Sequence, residues 1–201
     1  MTPWISTREG WLIEMTNRLR PMFDACGKPI PQTVRASCSW PSHRALRTSG
    51  STASRVIGEC WRTDASADGS NELLVSLSLA DELAVSECLV HELVHAALNC
   101  EHGHKGPFRT LALQLGLAGK MTCTFAGPQL AEILRSFAAE LGPYPHAVLD
   151  RTNEKKQSTR LIKVACPNEG CDYIVRMSQK CIDIGLPTCP CGEEMVQEVS
   201  Q

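Results

Sequence analysis

The sequence predicts an α+β chain in two parts: a larger unit of helices packed on a small antiparallel sheet, then a small β unit held by cysteines. Three observations predict it. Helical apolar spacing alternates with short extended runs over the first 150 residues. The composition then changes across a polar stretch, Asp150 to Thr159 (DRTNEKKQST). After it, cysteines occur in pairs beside Pro and Gly. The expected organisation is 1–150, a linker at 151–160, and 161–201. A chain of 201 residues has room for one ordinary domain and a small one.

Ser6-Thr7-Arg8-Glu9 has capping-box spacing. Trp11, Leu12, Met15 and Leu19 follow at helical intervals, predicting a helix from about Thr7 to Phe23 that Pro21 ends or bends. Val34 to Trp40, Arg55 to Trp61 and Glu72 to Leu79 read as strands, expected to form an antiparallel meander. Between the first two, Pro41 to Ser54 reads as a hairpin loop rich in Ser, Thr and Arg. Arg44 and Arg47 make it locally basic, so they are the candidate DNA contacts; the same residues also read as a solvated loop. Trp40 and Trp61 end strands expected to be neighbours.

The central stretch is Leu89 to Phe108, LVHELVHAALNCEHGHKGPF. Ser78 or Asp81 can cap a helix here, and no Pro or Gly interrupts Asp81 to Cys100. At 3.6 residues per turn, His91 and His95 fall on one face, where both imidazoles can reach one zinc ion. Glu92 follows the first histidine, where a carboxylate can take a proton from an activated water. A catalytic zinc needs a third protein ligand. Six residues after His95, the metzincin position is Glu101 rather than histidine, and Glu132 is the only reasonable glutamate on a later helix. His104 is the better candidate, because Gly103 and Gly106 let the chain fold back and Pro107 suits a helix start. His102 reads as a solvated loop residue and Cys88 as a small buried one.

H-E-L-V-H followed by G-H-K-G-P-F resembles the SprT-like zinc metallopeptidases, the group that includes Spartan. The resemblance implies a zincin-like fold, zinc on His91, His95 and His104, and Glu92 as catalytic base. It also implies an endopeptidase acting on protein, including protein bound or crosslinked to DNA. Lys105 departs from the glycine common at that position. The non-enzymatic alternative is a zinc-binding module for nucleic acid or protein; Glu92 argues against it, since a structural site needs no carboxylate there.

Downstream, a second helix is expected to Leu117, stopped by Gly116 and Gly119, then a short extended run from Met121 to Phe125. A third helix opens at Gly127-Pro128 and closes at Gly142-Pro143. Tyr144, in the stiff loop after it, is a candidate oxyanion stabiliser. In the last part, Cys166, Cys171, Cys189 and Cys191 are two pairs in Pro/Gly turns separated by a hairpin, the parts of a zinc ribbon with a structural zinc. Cys181 is a spare whose apolar neighbours suggest burial. SprT-like proteins often carry such a ribbon after the protease domain.

A net charge of −2 argues against a wholesale electrostatic nucleic-acid binder. No apolar run is long enough to span a membrane, and the first residues lack a signal peptide's apolar core, so the expected location is cytoplasmic. The eleven cysteines, an odd count, fit metal ligation and buried thiols better than a disulfide scaffold.

Overall fold

A computed structural model of the chain describes residues 5–41, 56–149 and 161–197. It divides into two compact units, Met1–Asp150 and Arg151–Gln201. Arg44, Arg47 and the 151–160 linker lie outside the described residues. The architecture is mixed α and β with small sheets, and no helix among the described residues is long and apolar enough to cross a membrane.

In the first unit, α1 (Arg8–Ala25) is capped by Thr7, whose side chain accepts from the Gly10 N–H. Trp11, Leu12, Met15, Leu19 and Phe23 form its buried stripe. Pro21 lies inside the helix and does not end it. Proline removes a single backbone donor, and the apolar residues on either side, Leu19 and Phe23, remain buried against the core.

Strands β1 (Arg35–Ser39), β2 (Gly58–Trp61) and β3 (Glu72–Ser76) form one sheet in the order β1-β3-β2. The expected antiparallel meander is therefore incorrect. β2 pairs with β3 antiparallel, but β1 pairs with β3 in parallel, Arg35 opposite Glu72. The physical reason lies in the strands' composition. Leu73 and Val75 of β3 are fully buried, so β3 takes the centre, while the more polar β1 (RASCS) and β2 (GECW) take the edges. Trp40 and Trp61 therefore do not end neighbouring strands.

Helix α2 (Glu82–Ala97) packs on this sheet and also touches α1 and the later helices. Asp81 caps it, accepting from the Ala84 N–H at 2.9 Å. It is buried well beyond one stripe: Val85, Leu89, Val90, Leu93, Val94 and Ala96 are all at most 2 % exposed, which makes it the core of the unit. After Ala97 the chain turns sharply through Asn99 and Cys100, both in the left-handed region (φ 47° and 55°).

Helix α3 (Pro107–Gln114) starts with proline at its first turn, as expected. It ends earlier than expected. Gly119 lies inside β4 (Leu117–Lys120), which pairs antiparallel with β5 (Cys123–Ala126). A Cβ on Gly119 would fall 2.7 Å from the Phe125 ring, so this glycine serves strand packing rather than helix termination. Helix α4 (Pro128–Leu141) completes the unit.

The second unit is a three-stranded antiparallel sheet, β6 (Ile162–Ala165), β7 (Ile174–Met177) and β8 (Val196–Gln197), in the order β7-β6-β8. A short helix, α5 (Gln179–Ile184), lies between β7 and β8. Its buried apolar core consists of Val164, Cys189 and Met195 alone among the described residues. So small a core supports folding poorly, which is the usual place for a metal cross-link.

Candidate metal centres

His91 and His95 lie one turn apart on α2, and the α2–α3 loop returns His104 to them. His91 Nε2 is 3.1 Å from His104 Nε2, and His95 Nε2 is 3.2 Å from it. A tetrahedral zinc with Zn–N bonds near 2.05 Å separates its nitrogens by about 3.3 Å. The three imidazoles are therefore spaced as they would be around one ion, and the group could hold a metal. Among the described residues Glu132 and His102 are not part of it, and both are exposed.

Phe108 forms the floor. Its ring is fully buried, with centroid distances of 4.3 Å to His95 and 5.0 Å to His91 and His104. Burial lowers the basicity of the imidazoles: it pushes His91 down to about 4, helped by His104, and His95 down to about 3, helped by His91 and His104. Burial also lowers His104. All three are thus neutral at pH 7, the state a metal requires. His91 Nδ1 sits 2.8 Å from Thr124 Oγ1 on β5. With the proton on Nδ1 donated to that hydroxyl, Nε2 is left with only its lone pair for an ion. Glu87 on α2 accepts from the Ala126 N–H at 2.8 Å and so keeps β5 in place.

Glu92 is 5 % exposed, and burial raises its carboxyl to about 8, with smaller contributions from Cys100 and Glu59. A dication held by the adjacent histidines would favour the ionised form. The carboxylate lies against β2 at Gly58. A Cβ there would overlap Glu92 Oε1, and would fall 2.9 Å from Glu92 Cδ and 2.7 Å from Cys88 Sγ. Cys88 is buried as expected, with its thiol 3.1 Å from the Ile57 carbonyl. Together β2, α2, the α2–α3 loop and β5 enclose an open cavity of about 620 Å³.

Tyr144 does not belong to this cavity. Its ring packs edge-on against Trp11 at 5.2 Å, and its backbone N–H donates to Glu82 at the start of α2. His91 is nine residues further on, about 13 Å along the helix axis. The expectation of an oxyanion role for Tyr144 is thus corrected: its aromatic ring is drawn into the apolar core. Gly58 and Thr124 are site residues outside the motif, and Phe108 closes the motif without its spacing revealing that the ring packs under the histidines.

In the second unit, Cys166, Cys171, Cys189 and Cys191 form a group that could hold a second metal. Cys166 and Cys191 sulfurs are 3.5 Å apart, and those of Cys171 and Cys189 are 3.6 Å apart. A tetrahedral zinc with Zn–S near 2.3 Å gives about 3.8 Å. The backbone N–H of Glu193 holds the Cys191 thiol down to about 7. Cys181 is exposed on α5 rather than buried, with its sulfur accepting from Ser178 Oγ, and it is not in the group.

Comparison with protein-family models, curated proteins and solved structures finds no match.

Proposed function

We propose that the first unit is a zinc-dependent endopeptidase of the SprT-like, zincin type, and that the second is a zinc ribbon. The observation that carries the reading is the convergence of three neutral imidazole Nε2 atoms at zinc-like spacing beside a buried carboxylate. When bound by His91, His95 and His104, zinc supplies a Lewis acid that polarises a peptide carbonyl and acidifies the attacking water. Glu92 takes the proton from that water and later passes it to the departing amine. Phe108 packs against all three imidazoles and keeps them in place on the cavity wall. Thr124 orients His91. Cys166, Cys171, Cys189 and Cys191 hold a structural zinc in a unit whose apolar core is otherwise minimal.

The substrate proposed is protein. The resemblance at residues 89–108 extends the proposal to protein bound or crosslinked to DNA. Glu92→Gln tests the chemistry. This variant should retain two zinc ions per chain, measured by elemental analysis, and lose cleavage of an unstructured protein. Cleavage at the wild-type rate would remove Glu92 as the base. Zinc retention with no cleavage by the wild type on any protein, free or DNA-bound, would favour the non-catalytic reading.

A further inference from the structure

We propose that Cys60 and Cys100 are a thiol–disulfide exchange site. On reaction with a low-molecular-weight disulfide such as oxidised glutathione, they form a reversible disulfide that ties β2 to the end of α2 in the wall of the histidine cavity. The inference concerns thiols outside both metal groups and does not rest on the metallopeptidase reading.

The geometry carries it. The Cys60 and Cys100 sulfurs are 2.8 Å apart. Within the four-cysteine group the sulfurs are 3.5 and 3.6 Å apart. The Cys60–Cys100 pair is closer than thiols set to share an ion, and needs a further approach of under about 1 Å to reach a bond of about 2.05 Å. No third cysteine, histidine or carboxylate completes a metal group with them among the described residues.

The approach is built into the backbone. Cys100 adopts φ 55°, a conformation rare for a residue with a side chain, immediately after Asn99 at φ 47°. Asn99 Oδ1 accepts from the Thr63 N–H at 3.3 Å and from Thr63 Oγ1 at 3.1 Å, just beyond β2. Asn71, fully buried, donates to the Trp61 carbonyl at 3.0 Å. The Asn99 bonds, with a longer one from Asn71 Nδ2 at 3.5 Å, hold the chain just after α2 against the end of β2, where the two thiols meet. Both cysteines line the open cavity, so a small disulfide can reach them.

The two thiols also differ in character. The hydrogen bond shared with Cys60 lowers the Cys100 thiol, burial works against it, and the Arg62 guanidinium lowers it further. The same hydrogen bond, with burial, raises Cys60. We assign the attack to Cys100, the thiol on the turn after α2, and the resolving step to Cys60 on β2. Cys100 Sγ displaces one glutathione thiolate from oxidised glutathione and forms a mixed disulfide. Cys60 loses its proton and attacks the Cys100 sulfur, releasing the second glutathione. Two protein thiols are oxidised, and one glutathione disulfide is reduced to two thiols.

The test uses the zinc-loaded full chain incubated with oxidised glutathione, acid-quenched, alkylated and peptide-mapped, with fragmentation to separate Cys88 from Cys100. The expected product is a linked Cys60–Cys100 peptide pair, reversed by reduced glutathione. Tryptophan-monitored unfolding of the oxidised protein should shift upward by about 10 °C, because the bond closes a loop of roughly 40 residues. In Cys60→Ser, Cys100 should stop as a stable glutathione adduct. Three results in the wild type would overturn the proposal: both thiols still fully alkylated, a lasting adduct on Cys100 with Cys60 free, or Cys100 linked to another cysteine.

Discussion

Gly58→Ala perturbs Glu92 without touching a metal ligand. The added methyl would sit 2.9 Å from Glu92 Cδ and 2.7 Å from Cys88 Sγ, where ordinary contact begins at 3.4 Å. The carboxylate must retreat by on the order of 1 Å, or β2 must lift from α2. The overpacking should cost about 1–3 kcal/mol, roughly 5 °C in the midpoint of a unit this size. The effect on cleavage should be far larger. A displacement of about 1 Å at a catalytic group costs about 100-fold in rate. Zinc content should stay at the wild-type value, since His91, His95 and His104 are not displaced. Cleavage of an unstructured protein reads the first effect, and elemental analysis reads the second. A double-mutant cycle with Glu92→Ala supplies a readout that needs no substrate. If the methyl clashes chiefly with the carboxylate, Gly58→Ala should become less destabilising in that background by about 1 kcal/mol or more. Additivity within about 0.3 kcal/mol, or cleavage within a few-fold of wild type, would refute the packing of Glu92 under Gly58 as a functional contact.

Thr124→Val should weaken zinc binding at the histidine site by about 10- to 100-fold and leave the cysteine site unchanged, measured by competition with a chromophoric chelator. Cys189→Ser should remove one zinc and unfold the second unit. All four tryptophans, Trp4, Trp11, Trp40 and Trp61, lie in the first unit, so its fluorescence-monitored unfolding should be unaffected. The metal-free protein should show two opposed pH dependences. His91 and His95 titrate near 4 and 3 in the folded chain, below their ordinary 6.5, so stability falls as pH drops from 6.5 toward 3. Glu92 titrates near 8, above its ordinary 4.5, so its contribution is present below pH 4.5 and is lost as pH rises to 8. In chelator, Glu92→Gln should therefore gain on the wild type by on the order of a few kcal/mol between pH 5 and 8.5, read by urea unfolding. An equal difference at both pH values would contradict the burial of an uncompensated carboxyl.

Local chemistry was readable from local sequence. His91, Glu92 and His95 are a turn or less apart, so helical geometry alone places the two imidazoles on one face. Gly103, Gly106 and Pro107 bracket His104 closely enough that the fold-back of the loop was legible from their conformational preferences. The paired cysteines between 166 and 191 were legible for the same reason, since each pair spans only a turn. What escaped the sequence depends on which distant segments meet. Strand alternation says which residues are apolar but not which strand takes the centre of a sheet, so the parallel β1–β3 pairing emerged only once the burial of Leu73 and Val75 put β3 in the middle. Gly58 is unremarkable within its strand, because the side chain that leaves no room for a Cβ there lies 34 positions away at Glu92. Thr124 becomes the orienting partner of His91 only through the packing of β5 on α2. Tyr144 looked well placed because it follows a helix end, yet burial of its ring against Trp11 decided its position. Cys60 and Cys100, 40 residues apart and featureless in the sequence, face each other because two left-handed residues and the Asn99 hydrogen bonds turn the chain after α2 onto β2. Spacing along the chain determined the candidate ligands. Tertiary packing decided what surrounds and orients them, because contacts between distant segments are selected by burial and hydrogen bonding across the whole fold rather than by any local preference.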